Sequence, residues 1–173
     1  MADLLISETQ ERYTGYGLFL DRCCKVMAVL AGVVLTAMAF MSLWSIGGRA
    51  LLDKSLVGDF ELVQIMTAAA VALALPYANW IGGHVIVDFF TAKAPVKTNA
   101  SLDAIAYGLM ALFSFVLAWR LLLGMLDLRT NMDASMLLSI PTWWGYLPLI
   151  PGFIFLGLTS LYKLQVNLRK VAA

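Results

Sequence analysis

Charge is what this sequence has least of: Asp, Glu, Lys and Arg make up 13% of its 173 residues, where a soluble domain carries about 25%. Histidine occurs once, at His84, and cysteine twice, at the adjacent Cys23 and Cys24. Each shortage removes a class of function. A net charge of +1, with lysines and arginines spread along the chain, leaves no basic face for nucleic acid. One histidine cannot supply the two axial ligands that haem anchors in helical bundles commonly use. Neighbouring cysteines without Cys/His ligand spacing read as small packing residues. No phosphate-binding loop or dinucleotide fingerprint is present. The expectation is a chain with no cofactor, no metal and no enzymatic chemistry.

Apolar residues fill the space instead, at 61% of the chain and a mean hydropathy of +0.83. Four stretches, 26–48, 62–83, 104–126 and 142–162, each reach the roughly 20 apolar residues that cross a bilayer as a helix. The sequence therefore predicts an all-α integral membrane protein, one four-helix domain over residues 1–173. Asp3, Glu8 and Glu11 stand where a signal peptide carries positive charge, so the first span is expected to stay in the mature protein. Eight Lys and Arg fall in the two terminal segments and the second connection. Four fall in the first and third connections, counting Arg120 with the third. Basic residues favour the cytoplasmic side, which puts both termini there.

The second span is the most patterned. At about 100° per residue, Glu61, Gln64, Ala68, Ala72, Leu75 and Asn79 share one stripe, and Ala70, Ala74, Ala78 and Gly82 form a small series beside it. Small residues let helix backbones approach in lipid. Protein is thus expected on two sides of this helix, part of it from another polypeptide. Asp59 and Glu61 at its start suit the positive helix end. At its other end, "GGHVIVD" places Gly83, His84 and Asp88 at a membrane boundary. His84 and Asp88, four apart, face each other on a helix, but lacking a nucleophile or metal they read as a local hydrogen-bonded contact.

Elsewhere, Gly15 and Gly17 predict that residues 1–25 form an interfacial tail rather than a long helix. Phe89 and Phe90 beside Lys93 predict a short amphipathic segment between the second and third spans, and Pro95 breaks it. Arg120, about six residues inside the third span, is expected to snorkel to the headgroups, with a pathway role as the sharper alternative. Arg49, Trp143 and Trp144 are assigned to the outer interfacial belt. Pro148 and Pro151 are expected to bend the fourth span.

"GDFEL" at the second span, "GGHVIVD" at its end and "IPTWWGYLPLIPGF" at the fourth span together resemble the small membrane subunit (DctQ-type) of tripartite ATP-independent periplasmic, or TRAP, transporters. The resemblance covers essentially the whole chain. It implies residence in the bacterial inner membrane and two protein partners, besides membrane lipids. One is a large elevator-type membrane subunit that imports an organic anion with sodium, such as a C4-dicarboxylate or a sialic acid. The other is a periplasmic substrate-binding protein. It implies a scaffold role, with substrate and sodium sites in the large subunit. Because the sequence ends at "VNLRKVAA", the large subunit is expected as a separate polypeptide. A free-standing four-helix protein, either a small carrier or a membrane anchor of a redox or signalling enzyme, is the competing expectation.

Overall fold

The structure is a computed structural model that describes residues 15–52, 58–82 and 96–172. Each apolar stretch becomes a helix: α1 (Tyr16–Leu52), α2 (Asp59–Trp80), α3 (Val96–Thr130) and α4 (Leu149–Ala172). A short 3-10 turn, Thr142–Tyr146, leads into α4. All four are long and apolar enough to cross a membrane, and no strand occurs among the described residues. Helices are the expected solution, because in lipid every backbone N–H and C=O must be satisfied within its own segment. The chain is a multi-pass membrane protein. The amphipathic segment expected after α2 lies outside the described residues.

The helices form a layer rather than a closed bundle. α1 packs on α2, α2 also packs on α4, and α4 packs on α3, which leaves α1 and α3 as the two edges. Contacts set the levels across this layer. α2 and α4 run parallel, with Ile65 beside Gly145, Ala72 beside Gly152, and Asn79 bonded to Thr159 and Ser160. α4 and α3 run antiparallel, pairing Tyr107 with Lys163, Phe115 with Gly157, and Gly124 with Tyr146.

Two expectations about helix limits are corrected. Residues 16–25 are not a tail: α1 starts at Tyr16, directly after Gly15 in a left-handed turn (φ 65°), and Gly17 lies inside the helix, buried. As the second residue of the helix, Gly17 costs less than the roughly 1 kcal/mol of an interior glycine. The turn that follows is held where Leu20 and Cys24, both fully buried, pack with Trp80. Nor do Pro148 and Pro151 bend a helix. Pro148 precedes α4 and Pro151 is its third residue, where the missing N–H would have had no helical partner.

A different proline matters. Pro76 is buried inside α2 and has no N–H to offer the carbonyl of Ala72, four residues earlier. That carbonyl lies directly against Gly152 of α4, so close that any side chain at 152 would collide with it and stand 2.8 Å from its carbonyl carbon. The proline frees an acceptor and the glycine lets the neighbouring backbone come up to it.

Candidate functional site

Three polar contacts hold the layer in shape. At the Trp143 end, Glu61 in the first turn of α2 accepts hydrogen bonds from Ser135 Oγ (2.6 Å) and from the backbone N–H groups of Leu137 (3.1 Å) and Leu138 (3.2 Å). The carboxylate thereby ties the α3 to α4 connection onto the start of α2. Gly58, left-handed at φ 79°, seats Leu138 where a side chain would overlap it. Beside it, Asp59 accepts from buried Ser45 of α1 (2.6 Å), with Arg49 at 3.9 Å. Glu61 also lines an open cleft of about 470 Å³ with Gln64, Ile65, Ala68, Met136 and Tyr146 among its walls.

In the span itself, Asn79 is fully buried and donates to Thr159 Oγ1 (2.8 Å) and Ser160 Oγ (3.0 Å), both of α4. Those hydroxyls in turn donate to the Leu156 carbonyl. At the Trp80 end, Asp21 of α1 is buried and accepts from the Trp80 indole N–H (2.9 Å) and from Lys25 (2.7 Å). The Trp80 ring meets Tyr162 of α4 at 5.4 Å, so one aromatic side chain joins three helices.

The residues singled out in α2 therefore divide. Asn79 and Ala70 are buried within the chain and are satisfied there, the first by hydrogen bonds and the second by packing. Gln64 is exposed, and Ala74 and Ala78 are half-buried. With Phe60 and Val71, also exposed, they occupy one side of α2, and Thr67, exposed beside them, bonds the Val63 carbonyl and Met38 Sδ of α1. Gly82 ends α2 with φ 74°, a conformation that suits glycine. Gly83, His84 and Asp88 lie outside the described residues. Arg49 and Trp144 are exposed at the same end as Glu61, where Trp143 stacks under the Arg129 guanidinium at 5.7 Å. Arg120 is exposed on α3.

Sequence reasoning missed the Asp21 clamp and the receiving side of Glu61. The first had a signal: Gly17, Leu20, Cys24, Met27 and Ala31 recur at helical spacing in α1, and Asp21 adjoins that stripe. The second had none, since a serine and two backbone amides in a connection carry no pattern.

This arrangement is suited to holding helices in a fixed order and to presenting a face to another protein. Among the described residues, no three His, Cys, Asp or Glu side chains gather as a metal-ligand set. A family model described as "Tripartite ATP-independent periplasmic transporters, DctQ component" matches residues 38–170. No curated protein matches the chain.

Proposed function

The chain belongs to the DctQ component family of tripartite ATP-independent periplasmic transporters, and from that membership we propose that it is the non-catalytic small membrane subunit of one. It acts as a scaffold for a large elevator-type membrane subunit and contributes to docking of the periplasmic binding protein. The assembly sits in the bacterial inner membrane, with both termini of this chain in the cytoplasm. Its cargo is an organic anion, a carboxylate such as a C4-dicarboxylate or a sialic acid, driven by sodium, and the sites for both lie in the large subunit.

The observation that carries this reading is the uncovered side of α2. α2 stands inside the layer, yet Phe60, Gln64 and Val71 are exposed on it. Gln64, in the first turns of α2 on the wall of the cleft beside Glu61, is more stable against protein that can bond it than against lipid. The half-buried Ala74 and Ala78 continue that side and permit close approach. His84 and Asp88 follow toward the cytoplasmic boundary and are assigned to the same docking edge.

The direct test is purification of the tagged chain from native membranes in mild detergent, with identification of what accompanies it. A large many-span membrane protein is the expected companion. Recovery of the chain alone across several detergents would sink the subunit reading.

A further inference from the structure

The contacts across the layer put Arg120 deeper than the six residues inside the span that the sequence suggests. Arg129 over Trp143 marks one boundary of the span on α3, and Tyr107 with Lys163 marks the other. Aromatic and basic side chains of this kind settle at the headgroup level. Arg120 is nine residues from Arg129 and thirteen from Tyr107, or about 14 Å and about 20 Å at the helical rise. The antiparallel pairs on either side, Phe115 with Gly157 and Gly124 with Tyr146, put Arg120 level with Gly152 and hence with Ala72, in the middle of α2.

Snorkelling does not resolve that position. An extended arginine carries its guanidinium about 7 Å from its Cα, short of either boundary. Side chains on a helix lean toward its N-terminus. For α3 that is the Tyr107 end, the farther one.

The direction of the side chain narrows what meets it. Ala104, Ala111 and Ala118, all buried, mark the side of α3 that packs on α4. At 100° per residue, Arg120 lies nearly opposite that line, on the free edge of the layer. Around it Val116, Leu117, Trp119 and Leu123 are exposed and apolar. No described residue forms an ion pair with it, and Asp127, two turns along α3, is beyond ion-pair distance.

We propose that Arg120 is an intramembrane anchor whose guanidinium pairs with a carboxylate of the large membrane subunit, along the free edge of α3. Arginine stays charged, and its planar fork of donors matches a carboxylate with two parallel bonds. A helix carbonyl can accept a further hydrogen bond, but only an acidic side chain also neutralises the buried positive charge, which makes it the fitting partner. The apolar surround excludes water and strengthens the pair. This rests on the subunit reading, and it extends the contact from the open side of α2 to α3, about 20 Å away across α4 at usual helix spacings.

The test uses the full transporter expressed in native membranes. A photo-crosslinking amino acid placed at 120 is expected to label the large subunit. Arg120→Leu, which makes the span more apolar and so does not impair its insertion, is expected to lower the co-purified large subunit about tenfold. Arg120→Glu is expected to be rescued by Arg at the acidic residue nearest the mapped crosslink. If the unaltered chain brings down the large subunit while position 120 labels only lipid or a second copy of this chain, and Arg120→Leu assembles normally, the anchor is refuted and the subunit reading stands. If the unaltered chain brings down no large subunit, the subunit reading itself falls, and the anchor with it.

Discussion

Asn79 shows how a single polar side chain behaves in this setting. Sequence spacing put it on a stripe with Glu61 and Gln64, and on that ground it was expected to face a partner. The structure turns its amide toward Thr159 and Ser160, where both donor hydrogens are used and no water is needed. An interhelical hydrogen bond in a membrane contributes about 0.6 kcal/mol on average and up to about 1.7. Asn79→Ala should therefore lower the unfolding free energy by about 1–2 kcal/mol, measured as equilibrium unfolding in detergent. The cost stays modest because Thr159 and Ser160 keep their bonds to the Leu156 carbonyl. Pro76 is the counterpart that the pattern did not expose. Its effect is read on another helix, at Gly152, which no inspection of α2 alone would connect to it.

Between elements, the layer depends on contacts that sequence distance hides. Gly152 sits against the Ala72 carbonyl, so Gly152→Val must push α4 away from α2. Overpacking of this kind costs about 1–3 kcal/mol, and the same unfolding measurement should register it, with Gly108→Ala as a milder comparison. There the nearest atom to an added methyl is Leu164 Cδ2 at 3.9 Å, an ordinary contact. The α3 to α4 connection has a different anchor. Glu61 uses both carboxylate oxygens to hold it, one for Leu137 and the other for Ser135 and Leu138. Glu61→Gln replaces one acceptor with a donor that faces a donor. Limited proteolysis should then cut residues 131–141 several-fold faster, with the helices themselves unchanged by circular dichroism. Equal protection in the variant would show that the carboxylate is not what holds the connection.

At the scale of the whole molecule, an open layer has two free edges and an uncovered side on α2, and only a partner or lipid can cover them. Leu at Ala74 or Ala78 should reduce recovery of the large subunit about tenfold by holding the two surfaces apart. A fully partnered complex carrying either change would remove that side of α2 from the interface. The number of spans, their rough limits and the membrane class were legible in the sequence, because hydrocarbon thickness imposes about 20 apolar residues per crossing whatever surrounds them. The family was legible too, in short motifs at the ends of two spans. Helix order was not, and neither was the inward turn of Asn79 or the indole that Asp21 clamps, although helical spacing in α1 marks the stripe beside Asp21. Apolar composition looks the same against lipid and against protein, so periodicity marks a face without saying what lies across it. Those assignments came only from the contacts between helices far apart in sequence, where one carbonyl, one glycine and a few hydrogen bonds decide which neighbours a helix can have.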